Sequence, residues 1–430
     1  MKKCLCAILA ALMIFSSFAL PSFAVSYYGE EEEEFTEGYV YTGEGVINNV
    51  VYSLEYGKTY ANKKKHKYYE IKSLFDSEET AKNATKITFV DEINGIPVET
   101  IRMRGVQIPQ ENNKIKELVL PSKLCYVNQN AFSGLTALET VTFPKDTQKF
   151  WLDEGAFRSL KALKKVVVRG GDVAIDEGAF YNCTALKTVT FDVKSVYFGD
   201  SAFSGCAALK SIKFPAKSKF AEGSFAGTGF KSLTIPATAF LGGEGVFSFC
   251  KSLETVKFTA SSSVKKLVIA DEAFFYCTKL KTVVLPKKAK DIMLCPKAFA
   301  GCTALKNVEN PGLITVVGEE VFLNCKRLES IKFSSRIKAI SKNAFKGCSR
   351  LKSVTFKDTK NIPGSYNYDT IKFTKGFEAG TFSGTPSGIK FYVKNATVAK
   401  KLKTALKGSG VKKAKIYRLS GNTLYYKNVK

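Results

Sequence analysis

The chain has 430 residues, 45% hydrophobic and 24% charged, and its 65 Lys and Arg outnumber 39 Asp and Glu for a net charge of +26. That apolar content supports a sizeable core and excludes a disordered or collagen-like chain. With one histidine in the sequence, no second imidazole exists for histidine-based catalysis.

Lys2 and Lys3, an apolar run from Leu5 to Leu20, and Ser22-Phe23-Ala24 read as an export segment covering residues 1–24. The run is short for a retained span and no stop-transfer charge cluster follows it. Cys4 and Cys6 lie near its start, away from the cleavage point, which argues against lipid attachment. Loss of Lys2 and Lys3 lowers the net charge by two, from +26 to +24. No integral membrane segment is expected in the mature chain. Outside a cell, strong positive charge points to polyanions such as wall polymers, acidic polysaccharide or a host surface, and away from nucleic acid. Solubility alone accounts for it as well.

Residues 25–84 do not repeat. Tyr27, Tyr28, the acidic run Glu30 to Glu34 and Thr36-Glu37-Gly38 read as a flexible leader. Val46 to Leu54 has strand-like content, Tyr68 to Leu74 less so, and together they read as an N-terminal cap. The sole histidine, His66, sits in Lys63-Lys64-Lys65-His66-Lys67, a solvated charge run.

From residue 85 to 393 one phrase recurs: a small residue, Phe, two variable residues, usually Cys, then Leu and β-branched residues. The anchors are Phe132, Phe157, Phe180, Phe203, Phe225, Phe247, Phe274, Phe299, Phe322 and Phe345, at intervals of 22 to 27 residues. A unit that short has an apolar face it cannot bury alone, so the repeat specifies a stacked solenoid. Counting from the anchor, Leu falls at six, Val or Ile at nine, and Phe, Val or Leu at eleven, as in Leu186, Val189 and Phe191. That alternation predicts a short strand with positions nine and eleven inward and position ten outward. Pro144, Pro215, Pro236 and Pro286 follow the strand, where a missing N–H ends ladder pairing. Apolar pairs such as Val173 with Ile175, or Ile337 with Ile340, mark an extended return path.

Cys183, Cys206, Cys250, Cys277, Cys302, Cys325 and Cys348 all stand three residues after an anchor, where Leu135, Leu160 and Thr228 substitute. Such substitution predicts a buried packing column of free thiols, since side chains in register point the same way and suit disulfide geometry poorly. A Cys-x-x-Cys zinc site is not present.

An insertion at 357–380 stretches the period and carries Asn361-Ile362-Pro363-Gly364-Ser365-Tyr366-Asn367-Tyr368-Asp369, whose paired tyrosines Tyr366 and Tyr368 are a candidate binding feature. An ordinary irregular turn is the alternative. Thr381-Phe382-Ser383-Gly384-Thr385 opens a degenerate eleventh copy with Ile389 and Phe391 on its strand. Residues 394–430 read as a C-terminal cap, with Val398, Leu402 and Leu406 at helical spacing and edge strands at Lys415 to Tyr417 and Thr423 to Tyr426. No wall-sorting signal follows, so any envelope attachment is expected to be noncovalent.

The phrases Asn130-Ala131-Phe132-Ser133-Gly134 and Ala202-Phe203-Ser204-Gly205-Cys206, with Leu209-Lys210-Ser211-Ile212-Lys213-Phe214-Pro215, resemble the BspA-like, or Treponema-type, leucine-rich repeat. The lead-in Asp91-Glu92-Ile93-Asn94-Gly95-Ile96-Pro97-Val98-Glu99-Thr100-Ile101 resembles that family's first coil. The resemblance implies an α/β-type, strand-dominated repeat solenoid, curved, with a parallel β-sheet on its concave face. It also implies exported or surface proteins of host-associated bacteria that bind or adhere and do not catalyse.

The functional residues are then those between the core positions. Position ten is held by Thr142, Val167, Thr190, Lys213, Lys257, Val284, Glu309, Lys332 and Thr355, with Thr234 in a shortened copy. After the turn Leu come Lys164, Lys187, Lys210, Lys281, Lys306 and Lys352, interrupted by Glu139, Glu254 and Glu329. A repeated row of ammonium groups beside threonines suits an extended polyanion. Selection for strand propensity and solubility explains any one position equally well. No zinc-protease motif, P-loop or dinucleotide fingerprint occurs, and no cofactor is expected.

The sequence therefore predicts a noncatalytic binding or adhesion protein, secreted or noncovalently held at the cell surface, that meets an extracellular protein or anionic polysaccharide. A passive envelope protein held by charge is the alternative. A carboxylate-based glycan-acting enzyme is the third.

Overall fold

The computed structural model describes strand backbone at 38–39, 52–61 and 64–74, and residues 85–419 apart from 90, 94, 104–113, 146, 260–265, 361 and 368–371. The export segment, the acidic run Glu30 to Glu34, Tyr368 and the strand expected at Thr423 to Tyr426 lie outside the described residues. The chain divides into two compact units, one within Leu12–Lys219 and one within Phe220–Lys430.

Each coil in both units is closed by the same backbone device. The anchor amide donates to the carbonyl of the small residue one coil on, as Phe157 to Ala179 and Phe274 to Ala298, at 2.8 and 2.9 Å. That bond brings successive coils to strand spacing, and Val246 and Val321 take the same place in the bonds from Phe225 and Phe299. The anchor rings then stack. In the first unit Phe132, Phe157, Phe180 and Phe203 follow one another at 4.9, 5.4 and 5.0 Å between centroids. In the second, Phe322 stacks on Phe345 at 5.3 Å and Phe345 on Phe382 at 5.5 Å, so the degenerate copy extends the column. All these rings are fully buried. Substituting any one would open a cavity that its neighbours cannot fill without leaving register.

In the first unit the front strands Lys86–Thr88, Glu117–Val119 and Thr140–Thr142 run parallel and in register with the first halves of Lys165–Ile175 and Thr188–Phe198. The second halves of these two long strands pair on the return side, where Lys149–Leu152 joins Lys165–Ile175. The sequence predicts a strand, a turn and a separate return in each coil. Here the ladder continues around the corner, because Arg169 and Asp192 stand where Pro144 stops it in the preceding coil. Gly171 makes the bend possible: a Cβ there would collide with the Gln148 carbonyl. Before the coils, Tyr52–Ala61 and Lys64–Leu74 form an antiparallel hairpin whose second strand pairs parallel with Ile96–Ile101. The basic run around His66 therefore lies in a strand, with His66 opposite Thr59.

The fourth copy departs from expectation. Leu209 to Pro215 forms no strand, so Lys213 is exposed but off the ladder.

In the second unit the front carries two parallel four-stranded sheets. One holds Ser232–Ile235, Thr255–Phe258, Thr282–Val284 and Asn307–Glu309; the other holds Ser330–Phe333, Ser353–Phe356, Ile389–Val393 and Ala414–Arg418. Between them in sequence, Pro311–Leu313 forms a 3-10 turn, and the Ser334 hydroxyl donates to the Gly312 carbonyl. A third sheet of Lys266–Ile269, Asp291–Leu294, Ile314–Val317 and Ala339–Ile340 forms the return side. Strand burial alternates as the sequence requires, for example exposed–buried–exposed–buried along Ser330–Phe333. The helix Ala396–Ala405 starts at Asn395, whose side chain accepts from the Val398 amide, and buries Val398 and Leu402. The protein is thus a strand-dominated solenoid in each unit, with parallel sheets and little helix.

Candidate functional site

Parallel, in-register pairing turns position ten into rows of adjacent side chains. In the first unit Thr142 pairs with Val167, and Val167 with Thr190, which is exposed. In the second, Thr234, Lys257, Val284 and Glu309 form one row. Lys257 is exposed there, between an uncharged and an apolar neighbour.

The turn column is less uniform than a row of free ammonium groups. Lys281 pairs with Glu254 at 2.7 Å and Lys164 with Glu139 at the same distance, while Lys352 lies 3.7 Å from Glu329. The hydrogen bond and charge of Lys281 hold the Glu254 carboxyl below its usual range, and Lys164 does the same for Glu139. Each glutamate that interrupts the column thus neutralises a lysine of the following coil. Lys187 and Lys306 are exposed and belong to no ion pair among the described residues. The Lys210 ammonium donates to the Ala207 carbonyl at 3.0 Å.

The row that gathers most chemistry is the last. Lys332 pairs with Thr355, Thr355 with Tyr392, and Tyr392 with Tyr417. The two tyrosine rings stack at 5.2 Å and 22°. Over Lys332, Thr355 and Tyr392 of this row lies an open recess of about 660 Å³, also lined by Ser330, Ser353, Lys357, Asp358, Lys394 and Leu419, while Tyr417 is buried. Lys332, Lys357 and Lys394 are exposed, and Tyr392 is half-buried. Lysines around an aromatic face with hydroxyls between them suit a ligand with both rings and negative charge. Sequence reasoning named Lys332 and Thr355 but not Tyr392, although counting ten from Phe382 lands on it. In the first unit a recess of about 740 Å³ spans Thr140 and Thr142, but Asp91, Glu117 and Glu139 share it with Lys116, Lys145 and Arg169. Its mixed charge favours no single sign of ligand.

Within the insertion, Ser365–Asn367 pairs antiparallel with Lys372–Thr374. The Tyr366 ring is half-buried and packs on Phe373 at 5.0 Å, and its backbone exchanges hydrogen bonds with the Ser341 hydroxyl. That ring is engaged within the protein and does not stand free in a loop.

The seven column cysteines are buried free thiols. Their role is more than packing. Each S–H donates back to the anchor carbonyl of an earlier coil, from Cys183 to Phe157 at 3.2 Å through Cys348 to Phe322 at 3.1 Å. Burial pushes the Cys183 thiol up to about 12, and Cys302, Cys325 and Cys348 rise for the same reason. Among the described residues no group of three or more His, Cys, Asp or Glu is placed to hold a metal ion, and no helix is long and apolar enough to cross a membrane.

Short coils stacked in register, with core positions filled and one outward row per sheet, define a noncatalytic binding module of the leucine-rich repeat type. The BspA type leucine rich repeat region (6 copies) matches residues 110–222, 174–295, 218–352 and 267–375, more than half of the chain. The chain belongs to that family. Among solved structures, a leucine-rich repeat protein from Bacteroides ovatus superposes with a TM-score of 0.54 at 19% identity, covering 91% of this chain and all 100% of that one. This likeness shows the fold. A leucine rich cell surface protein from Faecalibacterium prausnitzii is 21% identical over 81% of this chain and 95% of its own, with a TM-score of 0.39. A T. pallidum leucine rich repeat protein is 20% identical over 64% of this chain and 87% of its own, with a TM-score of 0.28. No curated protein matches the chain significantly.

Proposed function

We propose that the protein is exported and acts outside the cell as an adhesion or binding protein whose outward strand row takes an acidic polysaccharide. The observation that carries this reading is the recess over Lys332, Thr355 and Tyr392, with Lys357 and Lys394 around it and Asp358 as its one carboxylate. A tyrosine face supports a sugar ring, the ammonium groups pair with carboxylate or sulfate, and Ser330, Ser353 and Thr355 supply hydroxyls. Placing these groups on strands fixes them relative to one another, which lowers the ordering cost of binding.

The test compares polygalacturonate with dextran on the full chain at low salt and at 0.15 M salt. Lys332→Glu with Lys394→Glu should weaken polygalacturonate binding by about tenfold or more, with Lys187→Glu as the control that leaves it largely intact. Dextran should bind poorly throughout.

The net charge of +26 favours a second reading, a passive envelope protein held by charge. On that reading all three lysine substitutions weaken binding by similar small steps, and 0.15 M salt abolishes it.

A further inference from the structure

Two residues after each anchor of the second unit the backbone enters the left-handed region. Gly227, Gly301, Asn324, Gly347 and Gly384 hold that position with φ between 59° and 76°. These are the residue types that tolerate it. Two coils place bulky residues there instead, Phe249 at φ 57° and Tyr276 at φ 54°. Bulky side chains in this region are strained, and such strain marks functional positions when packing does not repay it. Both side chains are about half exposed, Phe249 at 47% and Tyr276 at 45%.

The two rings nevertheless form an organised surface. They stack at 5.9 Å and 24°, and Phe275 closes the cluster edge-on, at 5.6 Å from Phe249 and 4.5 Å from Tyr276. The next coil makes room for it, since a Cβ on Gly301 would stand 2.9 Å from the Tyr276 ring. The backbone is ordered as well, with Phe249 donating to the Phe275 carbonyl at 2.7 Å and Tyr276 to that of Ala300 at 2.8 Å.

Four carboxylates lie within five residues of the exposed rings: Glu254 pairs with Lys281 at 2.7 Å and Glu272 with Lys297 at 2.8 Å, while Glu244 and Asp271 are half-buried. Lys251 and Lys279, two and three residues after the exposed rings, are exposed and outside any ion pair among the described residues. A second copy of this chain, also at +26, would be repelled. Stacked, half-exposed aromatic rings with exposed lysines close in sequence fit the aromatic anchors of protein interfaces.

We propose that Phe249 and Tyr276, flanked by Lys251 and Lys279, form a second docking surface for an acidic protein segment carrying an aromatic or aliphatic anchor side chain. It is separate from the Lys332–Tyr417 row and does not depend on what that row binds.

The test exploits the backbone. Phe249→Gly with Tyr276→Asn installs residue types that other coils carry at this position, so the variant should melt no lower than the parent chain. The probe is a fluorescent twelve-residue peptide of alternating Asp and Ser around one Phe, read by anisotropy against the full chain. Controls replace its Phe by Ala or its Asp by Lys, and a further arm uses vesicles of anionic phosphatidylglycerol. The Phe-centred acidic peptide should bind about tenfold or more tighter than either control peptide. The double variant should lose that preference, and Lys332→Glu should leave it unchanged. The proposal is overturned if the double variant binds the peptide as the parent does, if the Ala-centred peptide binds equally, if only the vesicles bind, if nothing binds, or if the variant melts lower.

Discussion

At the scale of single residues, the cysteine column shows how a motif-like feature resolves into backbone chemistry. The alignment of seven thiols three residues after the anchors is plain in the sequence, and so is their burial. Their direction is not, because a donor bond to another coil's carbonyl depends on coil spacing that no single repeat contains. A weak S–H donor in an apolar column fills a second lone pair that water cannot reach. Because all seven thiols are buried, the native chain should leave the column unlabelled by a thiol-exchange dye at pH 8, while urea should release all seven. Fast native labelling of the column would refute its burial. Asp271 makes an opposite case. Burial, then the charges of Glu244 and Glu272, raise its carboxyl to about 7, and its Oδ1 is enclosed without a hydrogen bond. The folded state therefore favours the protonated form. Its stabilising contribution is full below the unfolded value near 4 and is lost as pH rises from about 4 to about 7, on the order of 2–4 kcal/mol. Asp271→Asn should remove that loss, so the variant's melting temperature gains on the parent's across this window. Parallel melting profiles would show that Asp271 does not titrate so.

At the scale of elements, strand positions follow from the alternation at nine, ten and eleven, and prolines account for where ladders stop. Missing prolines proved as informative: Arg169 and Asp192 let two strands run around the corner, which requires Gly171 to approach Gln148. The unformed strand at Leu209–Pro215 was not legible, since Ile212 and Phe214 satisfy the pattern as well as any other copy. The terminal helix was legible from Val398, Leu402 and Leu406, while its Asn395 cap emerges only from the structure. Asn395→Ala should cost about 1 kcal/mol of local stability, read as faster amide exchange across 396–405 with the Phe345 region unchanged. Unchanged exchange in the helix would mean that packing of Val398 and Leu402, and not the cap, sets its stability.

At the scale of the whole molecule, the sequence separates scaffold from surface. Core positions are repeated, so ten noisy copies reinforce one another, and the fold is readable. Surface positions become neighbours only through register, so the Glu254–Lys281 and Glu139–Lys164 pairs emerge as compensating partners once coils are aligned. The Tyr392–Tyr417 stack lies where the repeat degenerates, and the left-handed aromatic pair shows only when position two is compared across coils. Both candidate surfaces are exceptions to the repeat.

The thiol-to-carbonyl bonds also give the stack a grammar for growth. Each cysteine coil offers a donor toward the coil before it and an anchor carbonyl to the coil after it, as Cys325 does toward Phe299 while Phe322 receives Cys348. A duplicated coil inserted between two such neighbours would find both bonds waiting, so gene duplication can lengthen the protein by whole coils without redesigning any. Loss of a partial coil has no such permission. Chain length in this architecture is therefore counted in coils, and the exposed exceptions are carried along as passengers of that counting.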